Sequence, residues 1–248
     1  MLQYQRKYAK FRLVRVLGVA IALLLLYTTL APAQTPSPAQ VHPLPQTLAQ
    51  WKETQNAQGD YFDQVKPTQP GFLVWSHLPV QVYIAPPPKG VLIKPETWHR
   101  AILDAVKDWQ PYLPLSLTTS QTIADITFSA TPPQQRSGAR VRSAETRFEL
   151  YVNSASNTLA HRVSIYIRPS QTVQYIIAAA RHELGHGLGV WGHSQTPTDV
   201  MYFAQVRQPP AISARDINTL KRIYQQPTQL GWPILDDKQG KNPSLKAE

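Results

Sequence analysis

Apolar side chains recur along this chain with two different periods. Trp98, Ala101, Ile102, Ala105, Val106 and Trp109 fall three and four residues apart, the repeat of one helix face, and Pro95 stands where a first helical turn accepts it. Val173, Ile176, Ile177, Ala180, Leu184 and Leu188 repeat in the same way and predict a helix from about Thr172 through Leu188, which Gly189 is placed to end in a left-handed turn. A third helix is expected from Ser213 to about Gln226. Ser213 and Asp216 have the spacing of a capping pair, and Ile212 and Ile217 that of a hydrophobic staple. Shorter runs of β-branched and aromatic residues predict strands at Phe72–Trp75, Val80–Ile84, Ala124–Ala130, Arg147–Val152 and Arg162–Ile167. The polar and basic stretch from Gln134 to Ala144 reads as a surface loop. Helices and strands in this mixture predict an α+β domain.

The first 70 residues have no such periodicity. A basic stretch to Arg15 leads into an apolar run from Val16 to Leu30 and then Ala31-Pro32-Ala33, the pattern of a secretory signal cleaved before Gln34. Secretion, to the periplasm or the extracellular space, is therefore expected. The alternative is an uncleaved membrane anchor over residues 16–33. Residues 34–70, with Pro36, Pro38, Pro43 and Pro45 near their start, read as a Pro/Gln-rich linker and N-terminal extension. The expected division is signal 1–33, extension 34–70, folded domain 71–228 and flexible tail 229–248.

Charge and cysteine content narrow the function classes. The formal charge is +10, but five of the positive residues (Arg6, Lys7, Lys10, Arg12 and Arg15) lie in the leader, and the rest form no basic run. Nucleic-acid binding is not expected. There is no cysteine, so stability outside a cell would have to come from packing and bound metal, and no thiol is present for lipid attachment.

The chemistry concentrates in His182-Glu183-Leu184-Gly185-His186-Gly187-Leu188-Gly189-Val190-Trp191-Gly192-His193-Ser194. On a helix, residues four apart stack one turn above the other, so His182 and His186 direct two imidazoles to one point. Zinc takes nitrogen ligands in this way. Glu183 lies to the side, where it can reach a water without displacing a ligand. The reversal at Gly189 can return His193 as a third ligand, leaving one open position as a catalytic zinc requires. A His-Glu-x-x-His string arises by chance in only about one in two hundred chains of this composition. A structural zinc site usually closes with four ligands, often cysteine, and this chain has none.

These residues resemble the metzincin zinc metallopeptidases, and among them the matrixins. The family pattern H-E-x-x-H-x-x-G-x-x-H is present as His182, Glu183, His186, Gly189 and His193, with the last histidine one residue late and Gly192 at the expected place. Asp199-Val200-Met201-Tyr202 resembles the Met-turn, which makes Met201 the methionine beneath the metal. The likeness extends over roughly Leu73 to Tyr224. It implies a zincin fold: a twisted, mainly parallel sheet, two long helices, an active-site helix carrying HExxH, and a small C-terminal subdomain ending in a helix. It also implies a secreted, monomeric zinc endopeptidase with Glu183 as general base. An extended peptide or protein substrate would lie along an edge strand, for which Arg162–Ile167 is the candidate, and Tyr202 and Phe203 would begin the wall of the pocket, which runs on to Val206. A zinc-stabilised extracellular binding module on the same fold is the alternative.

The chain also departs from the family. It has no matrixin-style loop for structural zinc and calcium and no cysteine latency switch, and Phe203 stands where astacin-like members have a ligating tyrosine. The third ligand stays open among His193, Asp199 and a second water. Gly192 is expected to absorb the extra residue as a bulge by virtue of its backbone freedom. His161 is expected on a strand surface, and His42, His77 and His99 have no ligand spacing.

Overall fold

The computed structural model describes residues 34–52, 59–134 and 142–236. The leader 1–33, whether signal or anchor, and the tail from 237 lie outside the described residues, as does most of the predicted 134–144 loop. Among the described residues no helix is long and apolar enough to cross a membrane.

The described elements are, in order, β1 (Gln34–Pro36), α1 (Gln46–Gln50), β2 (Val80–Ile84), α2 (Pro95–Trp109), β3 (Leu115–Leu117), β4 (Ile126–Ser129), β5 (Ala144–Asn153), β6 (Thr158–Ile167), α3 (Val173–Gly187), α4 (Ala214–Tyr224) and β7 (Ile234–Asp236). One compact unit runs from Pro36 to Ile234. The other takes the two ends of the chain, and its described residues belong to the β1–β7 strand pair.

The fold is α+β with a mixed sheet ordered β3-β2-β4-β6-β5. The first four strands are parallel and β5 runs antiparallel to β6. β4 and β6 alternate strictly, with Ile126 and Phe128, and Val163, Ile165 and Ile167, all buried on one face. Against that face pack α2, through Trp98, Ile102, Val106 and Trp109, and α3, through Ile176, Ala180 and Leu184. Burial of each large apolar side chain is worth about 1.5–3 kcal/mol. Two polar contacts fix the helices to each other: Arg181 Nε donates to Asp108 Oδ2 at 2.8 Å, and Trp109 Nε1 donates to the Arg181 carbonyl at 2.9 Å. Helix α4 begins with the predicted capping box of Ser213 and Asp216.

Three expectations are corrected. Phe72–Trp75 is not a strand: Leu73, Val74 and Trp75 are buried as irregular chain, and Trp75 Nε1 donates to the Gly187 carbonyl at the end of α3. Residues 34–70 are not a free linker. Leu48, Tyr61 and Val65 enter the core, Thr47 Oγ1 donates to the Tyr112 carbonyl at 2.7 Å, and Trp51 Nε1 donates to Asn218 Oδ1 at 2.8 Å. Isolated apolar residues that each fill one slot leave no periodic signal, so composition alone misreads them. Nor are residues 229–236, the described part of the expected tail, loose, since Leu230 and Ile234 are buried.

Three of the four histidines outside the motif have structural places, and His99 is exposed on α2. His42 stacks on Trp232 at 4.4 Å and hydrogen-bonds the Leu230 carbonyl, and His77 pairs with Asp125 at 3.1 Å. His161 does not face solvent. It is buried on the inner face of β6 and stacks on Trp75 with centroids 3.9 Å apart, and burial pushes its pKa down to about 3. A buried imidazole of lowered pKa stabilises the fold while both states are neutral, above about pH 6.5. That stabilisation is lost as pH falls toward 3, because the unfolded chain takes up the proton first. His161→Phe keeps the stacked ring and removes the titration. In urea unfolding of the metal-free protein between pH 6.5 and 4, the stability of the wild type should fall more steeply than that of the variant by up to about 1.4 kcal/mol per pH unit. Parallel pH dependences would show that His161 does not carry this acid sensitivity.

Candidate metal centre

Helix α3 has one face committed to the core, and the four-residue spacing puts His182 and His186 together on another face. Their ring centroids are 4.9 Å apart, and those of His193 lie 5.3 and 4.8 Å from them. One ring nitrogen from each histidine falls within 4.8 Å of the other two, close enough for all three to hold one metal ion. His182 Nδ1 lies 2.8 Å from the Val200 carbonyl, and His186 Nδ1 lies 2.7 Å from the Val190 carbonyl. A carbonyl only accepts, so each Nδ1 carries the proton and each Nε2 keeps its lone pair free for a metal. Burial and the neighbouring imidazoles hold His186 well below the ordinary histidine range, and burial with His182 lowers His193 to about 4. The donor set therefore fits a divalent metal that accepts imidazole, a class to which zinc, copper, nickel and iron all belong.

The third histidine arrives by a route the sequence disguised. After α3, Gly189 takes a φ of +123°, and Trp191 N donates back to the Gly189 carbonyl at 2.8 Å in a three-residue turn. That turn redirects the chain toward His193. Gly192 is not the bulge: its φ is not positive, and it must be glycine because the Gln64 backbone lies against it, where a Cβ would overlap the carbonyl. Ser194 then fixes the position of His193, its N–H donating to the Met201 carbonyl at 2.8 Å.

Asp199, the rival ligand, is engaged elsewhere. It is fully buried, accepts from the hydroxyls of Ser194 and Ser213, and pairs with Arg215 at 3.1 Å. The turn that follows is held by Asp216, which accepts from Val200 N at 2.9 Å, Ser213 N at 2.7 Å and Tyr61 Oη at 2.6 Å. Met201 is fully buried against α3, and its sulfur occupies the space where a Cβ on Gly185 would stand.

No protein-family model matches the chain, and neither does any curated protein sequence.

Glu183 is buried beside the cluster, and desolvation raises its pKa against the pull of His182 and of a hydrogen bond from Thr146. Thr146 Oγ1 lies 2.6 Å from Glu183 Oε2 and 3.0 Å from the Glu183 carbonyl, joining α3 to strand β5. Nothing in the sequence around Thr146 marked it. A cleft of about 1610 Å³ opens over the histidines and Glu183, and Thr146, Tyr202 and Phe203 line it. Tyr202 is half-buried and Phe203 is exposed. The strand beside this cleft is also not the one expected. Arg162–Ile167 belongs to β6, which is enclosed between β4 and β5, and the open edge is β5.

The two candidate third ligands have separable consequences. His193→Ala should lower metal affinity at least about tenfold and leave the stability of the metal-free protein close to wild type. Asp199→Asn should keep the metal stoichiometry and cost roughly 2–4 kcal/mol of stability, since Arg215, the buried Ser194 hydroxyl and the Ser213 hydroxyl lose their anion. Metal titration and urea unfolding of both variants check this, and the opposite pattern would make Asp199 the ligand.

Proposed function

We propose that this protein is a zinc-dependent endopeptidase of metzincin type. The observation that carries the reading is the buried carboxyl of Glu183 at the edge of a three-histidine cluster that opens onto a long cleft. A metal held only for stability needs no such carboxyl, and it needs no open approach. Zinc is preferred because three imidazoles without thiolate make a catalytic donor set for it. The likeness of His182 to His193 and of Asp199 to Tyr202 to the metzincin motifs supports the same conclusion, as does a mainly parallel sheet beside the motif helix.

When bound, zinc would lower the pKa of a water and polarise a scissile carbonyl. The chain's own groups do the rest. Glu183 takes the proton from the attacking water and delivers it to the departing amine. Thr146 holds Oε2, which leaves Oε1 for the water. The outer edge of β5, unpaired among the described residues, offers backbone N–H and C=O groups to an extended peptide, whose carbonyl would then lie over the histidines. Tyr202 and Phe203 form the wall beyond the cut bond. Export by way of residues 1–33 belongs to the same proposal.

The test is hydrolysis of a peptide library by the purified protein with and without chelator, combined with metal analysis. One zinc per chain and chelator-sensitive cleavage are expected. Glu183→Gln should keep the metal and lose about 10²- to 10⁴-fold in turnover, the usual worth of general acid–base catalysis. Near-normal turnover in that variant would remove Glu183 from the mechanism, and absence of cleavage by the metal-loaded wild type would overturn the proposal.

A further inference from the structure

The cleft has an uneven charge balance. Its lining contains three acidic residues, and each is already committed. Asp199 is buried against Arg215, Glu183 sits beside the histidines, and Glu145 is shared by two guanidiniums, Arg142 at 3.3 Å and Arg147 at 2.7 Å. The two arginines on one carboxylate leave a net positive charge at the start of β5. Lys66 and Arg207 line the same cleft, both are exposed, and among the described residues neither has a carboxylate within ion-pairing distance. They come from different segments. Lys66 follows Val65, a core residue, and its own N–H donates to the Trp191 carbonyl in the loop that carries His193. Arg207 stands in the segment after Met201. The cleft is thus cationic in three places, with no free carboxylate to answer them.

We propose that the cleft selects extended peptides bearing aspartate or glutamate near the bond to be cut, with Lys66 and Arg207 as the residues that determine this preference. The proposal rests on the hydrolase reading for its notion of substrate and adds the substrate's charge. Like-signed walls around a groove concentrate a ligand of opposite charge and reject one of the same charge. Unpaired cations at a rim give up no existing ion pair when such a ligand arrives, so the attraction is available to the ligand in full. Exposed pairs are individually weak and screened by salt, so the preference should be moderate and should fade with ionic strength.

The experiment uses the full chain loaded with zinc and carrying Glu183→Gln, so that bound peptide is not consumed. Three labelled decapeptides of one backbone, differing only in whether the variable positions are Asp/Glu, Ser/Gln or Lys, are compared by fluorescence anisotropy at low and high salt. The acidic peptide should bind roughly five- to tenfold more tightly than the neutral one at low salt, and the Lys peptide most weakly. Lys66→Glu with Arg207→Glu should abolish or invert that order, whereas Arg100→Glu, an exposed cation of α2 outside the cleft, should leave it intact. Equal binding of the three peptides, no binding at all, or a preference that survives the double reversal would overturn the proposal. Hydrolysis by the protein without Glu183→Gln is scored separately. Acid-selective binding without cleavage would retain this inference and sink the peptidase reading, and cleavage without charge preference would do the reverse.

Discussion

The carboxylate of Asp216 is where the metal centre is tied to the rest of the molecule. It stands in the first turn of α4, fully buried, and gathers donors from three segments: Tyr61 before the sheet, Val200 in the turn, and Ser213 at its own helix cap. Burial pushes its pKa up, and the hydrogen bonds from Tyr61, Ser213 and Val200 pull against that. By holding Val200 and its neighbour, the carboxylate sets two carbonyls that point the other way. The carbonyl of Val200 accepts from His182 Nδ1, and that of Met201 accepts from the N–H of Ser194, next to His193. A helix cap thus orients the His182 ring and places the backbone beside His193. An imidazole with a free Nδ1 could rotate away from the point it shares with its neighbours, and the Val200 carbonyl prevents this for His182.

The remaining constraints are steric. Met201 fits under α3 only because residue 185 has no side chain, and Trp109 closes the same space from α2 while its indole N–H holds the Arg181 carbonyl. The histidines, the turn and the α2–α3 pair therefore form one packed body. The cleft above is different in kind. It is bounded by an edge strand that has no partner on its outer side among the described residues, and by the exposed stretch after Met201, surfaces on which a ligand meets little competition from the described protein.

How far the sequence disclosed this depends on whether each feature is local. Helices α2, α3 and α4 were legible almost to their ends, because their apolar stripes and the Ser213–Asp216 cap are local signals. The pairing of His182 with His186 was legible for the same reason. What escaped was decided by partners far away in the chain. Leu73, Val74 and Trp75 have the composition of a strand, yet Trp75 is claimed by the end of α3. Arg162–Ile167 looked like an edge until β5 was laid outside it, and Thr146 has a role only because that strand passes Glu183. Asp216 was visible as a cap, but its hold on Val200 spans 16 residues and has no local pattern.

His193 is brought beside His182 and His186 by a turn, and not by continuation of the helix. The three-residue turn from Gly189 to Trp191 redirects the chain after α3. The same turn presents the Val190 carbonyl to His186 Nδ1, so the segment that leads to His193 also orients the His186 ring. Its outer side is held in place by the chain before the sheet. Lys66 N–H bonds the Trp191 carbonyl, and the Gln64 backbone packs so closely on Gly192 that no side chain could stand there. A longer loop has more conformations to lose, and it reaches one geometry only if something restricts it. In this protein that restriction is supplied by residues 61 to 66, part of a segment whose composition suggested no structural role at all.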